Sequence, residues 1–426
     1  MLLPQEPQLK SMSNVFNRYS VALVTPFTEA LSDDQEQYVD EASLEKVITF
    51  VAAELKQTAA LANDNMIVGG IIVAGTTGEQ HSMSIEEREK LYKLSIKLGK
   101  KSNVRVACGV AASYTAGAIK LARAAVLAGC DGILLGLPPY IRPLEEELLS
   151  YVTAVCSPPE VPVLLYNNTT RCATGDTLRP ESIVDLHKRG VIWGVKHATS
   201  PDRFIPDAVE MMRLSDGTIR LYTGSDAKIA DLMKPYPSSL IDSTSNTNIF
   251  SEILKSSMME GIDISIQNCT YNSLFYGLTS IIGNLLPLEM SNIMYKLCCQ
   301  YKNCNNAITN TTNDHSNNNN TDLLLFQQGL KQHAQLCPLI TEILTGCTVP
   351  VGLKYAMKYA SSATIKDNIV AVPSTTSTIH AHHQPMTIAI PSGGFARLPL
   401  GTLAISKRGH IRQMIDDYFS QKTGQK

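Results

Sequence analysis

Lys196 follows Val191, Ile192, Trp193, Gly194 and Val195, five uncharged residues in a row. A cation beside so apolar a run is costly to bury unless it is neutralised or paired, and burial lowers an amine's pKa. A neutral lysine amine is the nucleophile that Schiff-base chemistry with a carbonyl compound requires. On this stretch alone, the ordinary reading is a strand-end lysine reaching into water. Other polar groups stand at comparable places, each just after an apolar run. Gly75-Thr-Thr-Gly-Glu79 supplies two hydroxyls, and Tyr166-Asn-Asn-Thr-Thr-Arg171 a phenol and a guanidinium. Thr223-Gly-Ser-Asp226 supplies a carboxylate, Ser280-Ile-Ile-Gly-Asn284 a further hydroxyl and amide, and Tyr140 a second phenol. An amine nucleophile, proton-carrying hydroxyls and an anion-holding cation are the parts of covalent carbonyl chemistry. Taken singly they have plainer readings: a tight turn with a helix cap, a rim aromatic, a solvated loop cation.

Whether they meet depends on the elements that carry them. Apolar runs recur at 21–25, 68–73, 104–109, 132–135, 163–166, 192–196, 220–223 and 278–282. Helical patterns separate them at 43–51, 115–128, 144–156 and 182–188, and Ser84 with Glu87 forms a capping box. Continuous apolar strands alternating with helices predict a parallel sheet covered on its faces. Eight such units predict an α/β chain folded as a closed (β/α)8 barrel, the TIM barrel architecture. The absence of G-x-G-x-x-G after the first run disfavours an open dinucleotide-binding sheet. In a barrel of this kind the carboxyl ends of the strands share one mouth, so Lys196, Tyr166, Thr76, Thr77, Tyr140 and Arg171 are predicted to converge there.

The chain has 426 residues, 44% of them hydrophobic, which is enough to fill one large barrel with additions. A net charge of −2 gives no basic excess for nucleic acid. No apolar run reaches membrane-spanning length. Ten cysteines without a C-x-x-C pair predict reduced thiols rather than a disulfide frame or a zinc site. His380-Ala-His-His383 lies in a low-complexity stretch without acidic partners, and no metal is expected there. Residues 1–17 are expected to be a disordered leader, and a cytoplasmic location is expected, with a mitochondrial one as the alternative. The barrel is expected over 18–300 with an insertion at about 234–271, followed by an Asn-rich disordered insertion at 301–322. A C-terminal helical extension is expected over 323–426, interrupted at about 364–394.

The ordered set of Gly75-Thr-Thr-Gly-Glu79, Tyr166-Asn…Arg171 and Gly194-Val-Lys196 resembles the dihydrodipicolinate synthase / N-acetylneuraminate lyase family. These are class I, Schiff-base, pyruvate-dependent aldolases on a (β/α)8 barrel. The resemblance extends over Tyr19-Ser-Val-Ala-Leu-Val-Thr-Pro26, Pro138-Pro-Tyr-Ile-Arg-Pro143 and Tyr222-Thr-Gly-Ser-Asp-Ala227. It continues in Gly277-Leu-Thr-Ser-Ile-Ile-Gly-Asn284, Thr348-Val-Pro-Val-Gly-Leu-Lys354 and Ala396-Arg-Leu-Pro399. It implies that Lys196 forms an imine with a 2-oxo acid and that Tyr166 shuttles protons. Thr76 would link that phenol to Tyr140, which would reach into a neighbouring subunit's site. Thr77 would hold the pyruvate carboxylate, the Thr279 carbonyl would face the substrate, and Arg171 would bind the carboxylate of the aldehyde partner. No metal or other cofactor is implied, because the protonated imine does the polarising.

The Thr76-Thr77 pair and Arg171 are similar to the synthase branch, which condenses pyruvate with aspartate semialdehyde. Thr169, Cys172 and Ala173 depart from that branch, and His197 stands where glutamate is usual. Ser113, Gly117 and Pro139 occupy positions where the branch's lysine-feedback pocket has Asn, Glu and Tyr. Other aldehyde partners therefore stay open: those of 2-keto-3-deoxy sugar acid, 4-hydroxy-2-oxoglutarate or N-acetylneuraminate aldolases. A catalytically inactive barrel acting as a binding or regulatory protein is the alternative of another class. The expected partners are a small 2-oxo acid, an aldehyde and copies of the same chain in a dimer or tetramer, with neither nucleic acid nor membrane.

Overall fold

The computed structural model describes residues 15–32, 35–62, 67–157, 161–168, 178–236, 272–299, 318–345, 349–361, 390–397 and 403–423. Among them every predicted apolar run contributes a strand. They are β1 (Tyr19–Ala22), β2 (Val68–Val73), β3 (Val106–Val110), β4 (Gly132–Gly136), β5 (Val163–Asn168), β6 (Gly194–Ala198) and β7 (Leu221–Thr223). Two short strands follow, β8 (Pro235–Tyr236) and β9 (Asn272–Ser273), and then β10 (Gly277–Ser280). Around the barrel the order is β1-β10-β7-β6-β5-β4-β3-β2, closed where β1 pairs with both β10 and β2. All of these pairings are parallel, and β5 meets β6 with Tyr166 opposite Lys196. The pair β8–β9 is antiparallel and joins the two ends of the predicted insertion at 234–271.

Crossover helices cover the barrel: α1 (Glu41–Ala62), α2 (Ile85–Ser102), α3 (Thr115–Ala128), α4 (Glu145–Cys156), α5 (Pro180–Lys188), α6 (Pro201–Leu214) and α7 (Ile229–Leu232). The helix α8 (Pro287–Cys299) follows β10. The predicted capping box starts α2: the Glu87 amide donates to Ser84 Oγ at 3.1 Å, and the Ser84 amide donates to Glu87 Oε2 at 2.8 Å. Outside the barrel, α9 (Asn318–Thr345) packs on α8, and α10 (Val351–Ala360) and α11 (Ile405–Thr423) pack on α9 and on each other.

Strand alternation makes two cores. Residues facing outward, such as Ile71, Val106, Ile133 and Val195, join the helices in one large apolar layer. Those facing inward form a smaller cluster of Val15, Phe16, Ile72, Ala107, Leu134, Leu164 and Tyr222, with Tyr166, Trp193 and Tyr276 beside it. At the amino end of the strands the Arg220 guanidinium stacks 3.8 Å from the Trp193 ring, and Arg18 stacks 4.6 Å from Tyr276. These flat cations lie over aromatic faces at that end, and in barrels of this architecture the ligand site is at the carboxyl end.

Three expectations change. Val15, Phe16 and Asn17 are buried, and Gly70 donates to the Val15 carbonyl at 2.8 Å, so the end of the segment expected to be a leader packs into the barrel. The helix α9 begins at Asn318, inside the Asn-rich stretch, and as an element packs on α8. Ile390 and Ala396 are buried, so the interruption at 364–394 ends in a packed segment. The bulk of all three insertions, and His380–His383, lie outside the described residues.

Candidate active site

Alternation along β6 turns Gly194 and Lys196 toward the barrel axis and Val195 and His197 away from it. Lys196 Nζ lies 4.6 Å from the centre of the Tyr166 ring, on the neighbouring strand in register with it. The lysine is 5% exposed. Burial pushes its pKa down to about 8, against the opposing pull of the Asp226 carboxylate. At pH 7 a drop from 10.5 to about 8 raises the neutral fraction about 300-fold, which turns a spectator cation into a usable nucleophile.

Two further features shape the surroundings of the amine. A Cβ on Gly224 would stand 2.7 Å from Lys196 Cε, 3.0 Å from Nζ and 3.9 Å from the Thr279 carbonyl oxygen. Only glycine leaves room for the lysine tip there. Asp226, fully buried, accepts from Ser280 Oγ at 2.5 Å and from the Ile281 and Ile282 amides at 2.8 and 3.4 Å. Burial pushes its pKa up, while these donors and Lys196 pull it back. His333 Nε2 of α9 lies 2.7 Å from the Asp226 carbonyl oxygen, which ties this turn to the C-terminal helices.

The other predicted residues are placed as follows. The Tyr166 hydroxyl accepts from Asn168 Nδ2 at 2.6 Å. Thr279 is buried on β10, its hydroxyl donating to the Thr223 carbonyl at 3.3 Å. Thr76 and Thr77 lie in the loop after β2, across the barrel from β6 in strand order; Thr77 is buried and Thr76 half-buried. That loop is bounded by two left-handed residues that are not glycine, Ala74 at φ 51° and Glu79 at φ 56°. Such strain persists only where the surroundings over-determine it. Tyr140 is 92% exposed with φ 76°, so its phenol stands in solvent at the rim rather than against the buried Lys196. Arg171 falls outside the described residues.

His197 has its explanation here. Facing outward, it stacks on Phe204 of α6 at 5.5 Å, and Phe204 stacks on Phe275 at 5.2 Å. Burial, aided by Arg203, pushes its pKa down to about 3, so the ring stays neutral. A flat neutral ring fits that slot, and it lies on the helix side of β6, away from the amine. Sequence reasoning assigns no role to Gly224, Asp226 or His333. The signal for the first two is present in the sequence, since both belong to Thr223-Gly-Ser-Asp226 at a strand end.

The family model for the dihydrodipicolinate synthetase family matches residues 15–263. A 4-hydroxy-tetrahydrodipicolinate synthase from Alkaliphilus oremlandii is 30% identical over 215 residues, covering 50% of this chain and 66% of that protein. The enzyme of the same name from Trichlorobacter lovleyi is 31% identical over 232 residues, covering 54% of this chain and 71% of that one. The chain spans about two thirds of the length of the curated relatives it matches. Among solved structures, the dihydrodipicolinate synthase of Aquifex aeolicus superposes with a TM-score of 0.62 at 18% identity, over 95% of this chain and 98% of the other. The chloride-inhibited enzyme of Acinetobacter baumannii, complexed with pyruvate, gives 0.60 at 23% identity over 94% and 98%. At these identities the structural likeness speaks for the fold.

Proposed function

Because this chain belongs to the dihydrodipicolinate synthetase family, we propose that it is a Schiff-base-forming lyase that joins pyruvate to an aldehyde or releases it from one. The observation that carries the reading is Lys196: buried, turned into the barrel beside Tyr166, and pushed down to about 8. Its neutral amine adds to the ketone carbon of pyruvate. Loss of water then gives an imine, which draws electrons from the adjacent methyl and yields an enamine. The enamine carbon attacks the aldehyde, and hydrolysis of the product imine frees the lysine. Tyr166 moves the protons, with Thr76 as its hydroxyl neighbour, and Thr77 and the Thr279 carbonyl orient the oxo acid. No metal or other cofactor takes part in this scheme.

The relatives' name makes aspartate semialdehyde the first aldehyde to test, which would make the enzyme similar to 4-hydroxy-tetrahydrodipicolinate synthase. Arg171 would hold that aldehyde's carboxylate. The exposed, left-handed Tyr140 supports a homo-oligomer in which a neighbouring copy buries it, completing the relay between subunits. Unpaired thiols at Cys108, Cys130, Cys156 and Cys337 support a reducing compartment such as the cytoplasm. Among the described residues no helix is long and apolar enough to cross a membrane.

The test is borohydride reduction in the presence of pyruvate. A stable adduct on Lys196, absent from Lys196→Ala, supports the lyase; an unlabelled protein refutes it and leaves the inactive-barrel reading. A panel of aldehydes, aspartate semialdehyde among them, then identifies the second substrate.

A further inference from the structure

Glu79 closes the loop that carries Thr76 and Thr77, and it does so in a left-handed conformation that glycine would adopt without strain. A glutamate in that place is there for its carboxylate. The side chain is fully buried, and both of its oxygens reach the C-terminal region. Lys354 Nζ, on α10, donates to Glu79 Oε1 at 2.5 Å, and the Arg397 backbone amide donates to Oε2 at 2.8 Å. The lysine's remaining protons go to the Thr25 carbonyl at 2.5 Å and the Phe395 carbonyl at 2.6 Å. All three ammonium donors are therefore used. Two of the three acceptors lie at the mouth end of the barrel, one after β1 and one after β2.

The segment 390–397 adds its own ties. Phe395 and Phe27 exchange backbone hydrogen bonds at 3.2 Å in each direction. The Arg397 guanidinium donates to the Ser82 carbonyl at 2.8 Å and to both Glu87 oxygens at 2.8 and 2.9 Å, clamping the start of α2. Inside the loop, the Glu79 amide donates to the Thr76 carbonyl at 3.1 Å and the Gln80 amide to the Gly75 carbonyl at 3.2 Å. The left-handed turn at Glu79 thus sets where Thr76 and Thr77 stand, and the carboxylate held from outside the barrel sets the turn. Lys354 and Arg397 both lie beyond residues 15–263, the part that matches the family model.

We propose that Lys354 and Arg397 are positioning residues: the C-terminal segment straps the Gly75–Glu79 loop through the buried Glu79 carboxylate, and the barrel binds its 2-oxo acid properly only with the strap in place. The binding half of this statement rests on the function proposed above; the positioning half does not.

The experiment uses the full chain with the double variant Glu79→Gln, Lys354→Met, which removes both charges while keeping both shapes. Removing one partner alone would leave an uncompensated buried charge. Without any substrate, deuterium exchange at the Glu79 and Gln80 amides should quicken tenfold or more. With pyruvate, the concentration giving half-maximal borohydride trapping at Lys196 should rise tenfold or more, while the maximal trapping rate stays within threefold. A purely structural role would lower folded yield without this split. Arg397→Ala, which leaves the ion pair in place, should move both readouts the same way by about threefold, and it serves alone if the double variant does not fold. Folded variants with parental exchange and parental pyruvate dependence overturn the proposal. If the unaltered protein takes no label, the lyase reading fails, while the exchange result still decides whether the strap holds the loop.

Discussion

Gly224→Ala is the sharpest probe of how the amine is held. The added methyl would stand 2.7 Å from Lys196 Cε and 3.0 Å from Nζ. Non-bonded carbons rest at about 3.5–4.0 Å, so the lysine tip must retreat by roughly 1 Å. The clashing atoms are the far end of a flexible side chain, and the nearest other atom is the Thr279 carbonyl oxygen at 3.9 Å. The backbone therefore has no need to move. Strain on the folded state should cost under about 1 kcal/mol, and the lower chain entropy of alanine in the unfolded state offsets part of it. The melting temperature should stay within about 2 °C of the parent. Chemistry is less forgiving: a reacting atom misplaced by 1 Å loses about 100-fold. The assay is the rate of borohydride-trapped pyruvate labelling, followed by intact mass, with thermal unfolding measured on the same sample. Labelling should slow about 100-fold in a protein that melts normally. Parental labelling in a folded Gly224→Ala protein would refute the tight seating of the Lys196 amine against Gly224.

The depressed pKa of Lys196 fixes the direction of the pH dependence, because the neutral amine is lost as pH falls through about 8. Trapping should fall about tenfold per pH unit below 8 and level off above it, and a flat profile between about pH 6 and 9 would contradict the effect of burial on the amine. His197→Ala removes a ring stacked 5.5 Å from Phe204 on the helix side of β6, so it should cost roughly 3 kcal/mol in denaturant unfolding. Its trapping rate should stay within about twofold of the parent, since the ring does not face the amine. Millimolar lysine should leave activity unchanged if, as the family resemblance implies, Gly117 matches a pocket glutamate, since a Cβ there would already meet the Tyr114 ring at 2.7 Å. A dose-dependent loss of activity in lysine would contradict this.

The barrel is legible because buried parallel strands are continuous apolar runs, and the run at 68–73 coincides with β2 residue for residue. The first apolar run begins two residues after β1 does, because Tyr19 and Ser20 are buried in the strand yet carry hydroxyls that break the apolar pattern. Lys196 and Tyr166 are legible as strand ends, and the register that sets them side by side follows from adjacent strands of one barrel. His197 is opaque as long as it is only the lysine's neighbour in sequence. Alternation sends it to the opposite face, where its partner Phe204 belongs to a helix that the apolar pattern does not mark. Glu79 and Lys354 both stand in motifs of the family resemblance, but nothing in a linear pattern joins residues 275 positions apart. Buried charge pairs of that span become visible only when the packing that desolvates them is in view.

That span also orders events in time. Lys354 is added to the growing chain 275 residues after Glu79. At a synthesis rate of about 5–20 residues per second, roughly 14 to 55 seconds pass between them. By the end of that interval the last barrel strand, β10, lies more than 70 residues behind the point of synthesis, and until Lys354 is added the Glu79 carboxylate has no ammonium to meet and cannot be buried at low cost. The loop that bears Thr76 and Thr77 is thus the last part of the mouth to be set. A chain cut between Ser280 and Lys354 would have all eight barrel strands and still lack the ammonium that meets Glu79.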